Sequence, residues 1–326
     1  MSFAKVSSAQ PELLGAKIIT IEADISKGMH AFTIVGLPDK AIEESRDRVA
    51  AAIKNAGWRS PKQRNHKITI ALAPADQKKE GPVFDLGIAL VYLLATKDIA
   101  FDPKGKIFAG ELALDGTLRP IRGALSIART ARDKGFTEIY LPIANAAEAA
   151  LIRGITVYPA ATLKEVVEHL TKKPIGDPTQ SRPIVPITPQ PPTMIADSRK
   201  PDAKNDSVTF DDIRGQESAK RGLAIAAAGG HNIALFGPPG TGKSMLAKAF
   251  AGILPDLTED EALEVTSIHS VAGTLRGEIV TRPPMRAPHH TSSYVSVIGG
   301  GTTPKPGEVT LAHHGVLFLD EFPEFD

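Results

Sequence analysis

The hydrophobic residues in the first half of the chain form short runs that alternate between strand and helix periodicity. Strands are predicted at Ile18–Ala23, Ala31–Val35, Lys67–Leu72, Ile107–Leu114, Glu138–Leu141 and Ile155–Tyr158. Helices are predicted at Pro38–Asn55, Phe84–Ala95, Gly123–Lys134, Ala144–Arg153 and Thr162–Thr171. This alternation predicts a first domain of the α/β type, with helices packed on a central sheet.

The end of the chain has the pattern of a strand, a glycine-rich loop and a helix. Gln216–Ala228 is predicted to be a helix, Asn232–Phe236 a buried strand and Lys243–Ile253 a second helix. A further apolar strand is predicted at Val316–Leu319. These elements predict a second α/β domain with a mainly parallel sheet.

A proline-rich segment separates the two patterns, with eight prolines between Lys172 and Pro201. Such a segment cannot form regular backbone hydrogen bonds and favours extended geometry. We therefore predict domains at residues 1–171 and 208–326, joined by a linker at residues 172–207. A ligand for a proline-binding domain is the weaker interpretation of the same segment.

The amino-acid composition excludes several classes of function. The chain has 326 residues and a formal net charge of +1, which argues against a histone-like nucleic-acid binder. It has no cysteine, so disulfides, thiolate metal sites and cysteine nucleophiles are excluded. The longest apolar run, Leu86–Ala95, is too short to span a bilayer, and no signal peptide is recognisable. We expect a soluble, cytoplasmic protein with no membrane partner.

The glycine-rich loop matches the full P-loop pattern and lies where that pattern needs to be, after an apolar strand and before a helix. Its glycines let successive N–H groups face a phosphate, and the helix N-terminus adds positive potential. Lys243 is predicted to contact the outer phosphates of ATP, and Ser244 to ligate Mg²⁺. The predicted nucleotide-binding residues are Gly237, Pro238, Pro239, Gly240, Thr241, Gly242, Lys243 and Ser244.

Two acids follow the last apolar strand, at the edge of the sheet where the P-loop is expected. Asp320 is predicted to complete the Mg²⁺ shell, and Glu321 to polarise the attacking water. A strand ending in two acids is a weak signal alone, but with the P-loop it predicts an ATP hydrolase.

Two histidine pairs, His289–His290 and His313–His314, lie between the nucleotide motifs. Adjacent histidines without nearby cysteine lack the usual spacing of metal ligands. The sequence therefore favours a polar loop region beside the nucleotide site over a metal centre.

Longer strings around these motifs resemble one protein family. Asp211–Gln216, Arg286–Thr291 and Pro306–Phe325 are similar to the Mg-chelatase-like branch of AAA+ ATPases, within it to the family of the bacterial competence protein ComM. The resemblance covers nearly the whole chain except the linker. It implies a Lon-protease-like α+β domain followed by an incomplete AAA+ domain.

The resemblance to Lon-type domains rests on Gly110–Ile121 and Lys79–Pro82. Active Lon peptidases have a serine and a lysine where this sequence has Val83 and Leu125. Valine offers no nucleophile and leucine no base. The first domain is therefore expected to have a protease fold without protease activity.

For the complete protein, the family implies a hexameric ring that uses ATP to remodel single-stranded or branched DNA during natural transformation. The pore-facing candidates for phosphate contacts are Arg276, Arg282, Arg286 and Lys305. A second basic patch with one aromatic residue comprises Trp58, Arg59, Lys62, Arg64 and Lys67. A solvated basic surface is the competing interpretation of both groups.

Modules of this family continue past the Asp-Glu strand with a sensor residue, an arginine that acts on the neighbouring subunit and a helical lid. This sequence stops at Asp326, before those parts. Whether it is a fragment or a natural truncation, we expect residues 1–326 to bind Mg·ATP weakly, hydrolyse little and form no stable ring.

Two other functions remain open. One is a metallochelatase motor subunit that inserts Mg²⁺ into a porphyrin. The Lon-like first domain argues against this function. The other is a module that binds ATP or a partner without hydrolysis. A protease is the weakest interpretation.

Overall fold

The computed structural model describes residues 2–12, 15–173, 186–193, 208–275, 279–301 and 305–325. The chain divides into two compact units, Met1–Met194 and Ile195–Asp326. Most of the predicted linker at residues 172–207, together with Arg276, lies outside the described residues.

The first unit alternates strands and helices along its described residues. Its strands are β1 (Ser2–Glu12), β2 (Gly15–Lys27), β3 (Ala31–Val35), β4 (His66–Ala73), β5 (Lys106–Phe108), β6 (Glu111–Leu112), β7 (Leu118–Arg119), β8 (Glu138–Pro142) and β9 (Thr156–Ala160). Its helices are α1 (Lys40–Asn55), α2 (Asp85–Ala95), α3 (Ala124–Asp133), α4 (Ile143–Ala149) and α5 (Leu163–Thr171). Each predicted strand and helix of this unit has its counterpart within a few residues.

Seven of these strands form one sheet in the order β3-β4-β2-β1-β5-β8-β9. The pairs β3-β4, β1-β5, β5-β8 and β8-β9 are parallel, whereas β2 is antiparallel to both of its neighbours. Strands β6 and β7 form a separate hairpin around a turn at Asp115 and Gly116. The α/β class predicted from the sequence is confirmed, with a mainly parallel central sheet.

Strand β1 was not predicted. It pairs with β2 along its whole length, from Ser2 opposite Ile25 to Glu12 opposite Gly15. Its middle contains Ser7, Ser8 and Gln10, and such residues carry little intrinsic preference for a strand. Pairing with the long, regular β2 therefore determines this strand, and that long-range effect is not visible in a local pattern.

Part of the proline-rich segment is bonded to the first unit. The backbone N–H of Gln190 donates to the carbonyl of Val157 at 2.8 Å, and that of Thr193 to the carbonyl of Ala150 at 3.0 Å. Residues 186–193 thus lie along α4 and β9.

Helix α2 is the buried centre of the first unit and packs against β1, β2 and α1. The positions compared with the Lon catalytic pair, Val83 and Leu125, are occupied by buried apolar side chains. They pack the core and supply neither a nucleophile nor a base.

A buried carboxylate at the start of α2 is fully hydrogen-bonded. Asp85 accepts from Arg48 Nε at 2.9 Å and Nη2 at 3.2 Å, from the Leu112 N–H at 3.2 Å, and from the Ser45 hydroxyl. Because the Asp85 side chain is completely buried, removing its cationic partner would leave an uncompensated charge. This network joins α1, α2 and the strand β6.

Replacing Arg48 by alanine should therefore lower the free energy of unfolding of the first unit by about 3–5 kcal/mol. Arg46→Ala, at an exposed position of the same helix, should change it by less than about 0.5 kcal/mol. Urea unfolding monitored by the fluorescence of Trp58, the one tryptophan in the sequence, measures this unit within the whole chain. Equal effects of the two substitutions would contradict the prediction.

The second unit has more helix than strand in its described residues. Its helices are α6 (Glu217–Gly229), α7 (Lys243–Phe250), α8 (Glu259–Ala272), α9 (Tyr294–Ile298) and α10 (Glu308–Leu311). Its strands are β10 (Met285–Arg286), β11 (Gly299–Gly300), β12 (Lys305–Pro306) and β13 (Val316–Leu317). A core cluster forms between α6 and α7, and its buried members include Leu223, Ala226, Leu246, Ala249 and Phe250.

The sheet of this unit is smaller than predicted. Strands β10 and β13 form a parallel pair two residues long, and β11 pairs antiparallel with β12. The predicted strand Asn232–Phe236 has no ladder partner among the described residues, and Phe236 is fully exposed. An apolar run forms a strand only where a neighbouring strand satisfies its backbone hydrogen-bonding groups. Of the residues in this run, Leu235 packs against the core cluster.

Helix α8 was not predicted, although the sequence carries its end signals. Thr258 and Glu261 form a reciprocal capping box at its start, and Gly273 ends it in the left-handed conformation, with φ of 74°. No helix in the described parts of either unit is long and apolar enough to cross a bilayer.

Candidate functional site

The glycine-rich loop leads directly into helix α7. Gly240 and Gly242 have φ of 81° and 86°, a conformation that L-residues with side chains rarely adopt. Gly242 is the N-cap of α7, so the helix begins at Lys243. Leu246 and Phe250 of the same helix are buried in the core cluster. The packed face of α7 therefore fixes the helix N-terminus, from which unpaired N–H groups can bind an anion.

The ammonium group of Lys243 lies over the loop itself. Its Nζ donates to the carbonyl of Gly237 at 2.9 Å and to that of Pro238 at 2.8 Å. The hydroxyl of Thr241 donates to the Pro238 carbonyl at 2.9 Å and so closes the loop. The cation is thus held against the loop by two neutral carbonyl oxygens.

The structure brings the two nucleotide motifs together. The hydroxyl of Ser244 donates to Oδ2 of Asp320 at 2.9 Å, although 76 residues separate them in the chain. A hydroxyl and a carboxylate oxygen in contact are the hard ligands that Mg²⁺ prefers. Both predicted metal ligands therefore lie in one place and suit this ion.

Glu321 lies beside this pair in an unusual backbone conformation. Its φ is 57°, and its N–H donates to Oδ1 of Asp320 at 3.1 Å. Its carboxylate Oε2 is 3.0 Å from Nδ1 of His290. This contact was not predicted, because His290 and Glu321 are 31 positions apart in the sequence.

The basic side chains proposed as DNA contacts differ in whether they form ion pairs and in how exposed they are. Arg286 forms a two-point ion pair with Glu308, at 2.5 and 2.9 Å, and the Arg286 hydrogen bonds lower the pKa of the Glu308 carboxyl. Lys305 is exposed on β12. In the first unit, Lys62 and Arg64 are paired with carboxylates at 2.8 Å. Arg286 therefore stabilises the link between β10 and α10, whereas Lys305 is available to solvent.

The two histidine pairs do not form one cluster among the described residues. The ring centroids of His289 and His290 are 4.2 Å apart with the planes tilted by 36°, and His290 faces Glu321. His313 and His314 instead face Glu264 on α8. The predicted polar region beside the nucleotide motifs thus contains two separate arrangements.

Two known families match separate parts of the chain. The family described as "Magnesium chelatase, subunit ChlI" matches residues 209–326, and the one described as "Subunit ChlI of Mg-chelatase" matches residues 21–145. The chain belongs to the Mg-chelatase-like family that includes ComM and YifB.

Curated relatives align with the whole chain. The "Uncharacterized protein YifB" of Salmonella typhimurium is 44% identical over 100% of this chain. The "Competence protein ComM" of Haemophilus influenzae is 42% identical over 100% of it, and an uncharacterized protein of Mycobacterium tuberculosis is 40% identical over 99%. The chain spans 61% of the length of each of these relatives.

Proposed function

We propose that this chain is the Lon-like and nucleotide-binding part of an AAA+ ATPase of the ComM type, which forms a ring and remodels single-stranded or branched DNA. The observation that carries the proposal is the hydrogen bond between Ser244 and Asp320. It brings the P-loop hydroxyl next to the acidic strand end, which supports a shared Mg²⁺ site for phosphoryl transfer.

In this proposal each polar group has a separate task. The loop N–H groups and Lys243 hold the phosphates, while Ser244 and Asp320 hold Mg²⁺, which neutralises charge as it develops on the phosphate oxygens. Glu321 orients the attacking water and accepts its proton. His290 acts as a positioning residue, because its ring contacts the Glu321 carboxylate.

The DNA part of the proposal is supported by the relative named as a competence protein. The exposed Lys305 offers one cation for a phosphate backbone. The name of the matched family favours a second candidate, a metallochelatase motor that inserts Mg²⁺ into a porphyrin. The agreement of both units with competence-type relatives over the full chain favours the DNA motor.

Steady-state ATP hydrolysis with and without DNA distinguishes these candidates. The protein, extended to the length of its relatives, should hydrolyse ATP faster when single-stranded or four-way-junction DNA is added. Lys305→Glu should weaken DNA binding, and the loss should be smaller at high salt. Lys248→Glu, on an exposed position of α7, is the matched control.

Three outcomes separate the candidates. Stimulation by DNA supports the motor, while stimulation by a porphyrin alone would favour the metallochelatase. ATP binding without turnover under any of these conditions would indicate a module that binds nucleotide without hydrolysis.

A further inference from the structure

A second cluster of ligand-type side chains lies outside the nucleotide motifs, between helix α8 and the turn that joins α10 to β13. Glu264 Oε2 on α8 lies 2.9 Å from Nε2 of His314 and 3.4 Å from Nε2 of His313. The three donor atoms all lie within 4.8 Å of one another. Two imidazoles and a carboxylate thus converge on one point.

The backbone of the turn directs both rings to the same side. Successive side chains point to opposite sides of an extended backbone, but His314 has φ of 53°, in the left-handed region. That conformation is uncommon for residues other than glycine and is maintained only where surrounding structure enforces it. The next residue, Gly315, lies tightly against the neighbouring backbone, since a Cβ there would lie 2.0 Å from the carbonyl oxygen of Pro284.

A second carboxylate lies behind His314. Oε1 of Glu261, one turn before Glu264 on α8, is 3.6 Å from Nδ1 of His314. The other oxygen of Glu261 is held by the N–H and hydroxyl of Thr258, each at 2.8 Å. Histidine ligands of metals commonly donate their second N–H to a carboxylate, and a small closing of this 3.6 Å gap would let His314 donate to Glu261 in that way.

The spacing suits a small tetrahedral ion. Bonds of about 2.0–2.1 Å to Zn²⁺ place neighbouring ligand atoms about 3.3 Å apart, close to the observed 2.9 and 3.4 Å. We propose that Glu264, His313 and His314 bind one divalent transition-metal ion of the zinc class, oriented by Glu261 and completed by water.

This site differs in chemistry from the nucleotide site. Two of its three ligands are imidazole nitrogens, which Mg²⁺ does not favour and Zn²⁺ does. Its position gives it a structural role, because it links α8 to the turn before β13. The same strand leads to Asp320, six residues beyond His314. The ion therefore restrains the segment that carries the acidic pair.

Titration of the metal-free, tag-free chain with Co²⁺ tests the proposal without nucleotide. One equivalent should bind and give the strong visible absorption of tetrahedral cobalt. Zn²⁺ should displace it, whereas excess Mg²⁺ should not. Glu264→Gln and His314→Ala should weaken binding by at least about a hundredfold, and Glu261→Gln by about ten- to a hundredfold.

Controls separate ligand loss from loss of folding. Glu264→His replaces one ligand by another and should retain binding, while His231→Ala removes an exposed histidine of the same unit and should change nothing. Circular dichroism checks that each variant is folded. Wild-type affinity in folded Glu264→Gln, or no tetrahedral cobalt spectrum in the wild-type chain, would overturn the proposal and leave an ion-pair cluster.

Discussion

Replacing Lys243 by alanine is expected to weaken Mg·ATP binding about ten- to a hundredfold. The ammonium group is held against the loop by two carbonyl oxygens, so its removal leaves the phosphates without a cation from this residue. A hydrogen bond to a charged group contributes about 1.5–3 kcal/mol, and each 1.4 kcal/mol is about tenfold in affinity. Titration with a fluorescent ATP analogue measures the effect.

The matched control is Lys248→Ala, five residues later on the same helix at an exposed position. It removes the same charge from α7 but does not contact the loop through any hydrogen bond in the described residues. Its affinity for ATP should stay within about twofold of wild type. Equal losses in both variants would show that general charge, and not the P-loop, determines binding.

Replacing Glu321 by glutamine is expected to abolish ATP hydrolysis while ATP binding is retained. The amide keeps the size of the side chain but cannot accept the proton of the attacking water, a contribution of about a hundredfold or more. The effect is measured as steady-state phosphate release by the protein extended to the length of its relatives. Nucleotide affinity is titrated in parallel.

Glu324→Gln is the matched control, since this acid is exposed three residues further along the chain. Its turnover should equal that of wild type. Full turnover by Glu321→Gln would assign the role of base to another group. Loss of both binding and turnover would instead indicate that Glu321 supports the shape of the site.

Local sequence signals predicted most of the first unit because its elements carry their own periodicity. Helix α2 is apolar along almost its entire length, and α1 lies between a proline and a glycine that mark its ends. Strand β1 was not predicted, because its serines and glutamine adopt a strand only through pairing with β2. The second unit was predicted less well, since the strand expected at Asn232–Phe236 depends on neighbours that a local pattern cannot supply.

The nucleotide motifs were recognisable because each is a contiguous string with fixed chemistry. The contact of Ser244 with Asp320 was expected from the positions of the two motifs, and the structure places them together. The contacts of His290 with Glu321 and of His314 with Glu264 join distant parts of the chain. The spacing of His313 and His314 alone did not indicate a metal site, because the third side chain of that cluster, Glu264, lies on α8, far away in the sequence.

The central position of β1 has a consequence for synthesis on the ribosome. Strands β1 to β4 form one half of the sheet, but the other edge of β1 pairs only with β5, where Ser7 lies opposite Ile107. About 100 residues separate these partners, which corresponds to roughly 5–20 s of translation. During that interval β1 is an open edge, where foreign strands can pair. Its serines and glutamine, which have little intrinsic strand preference, make this edge a weaker template for a foreign strand than a run of β-branched residues would be.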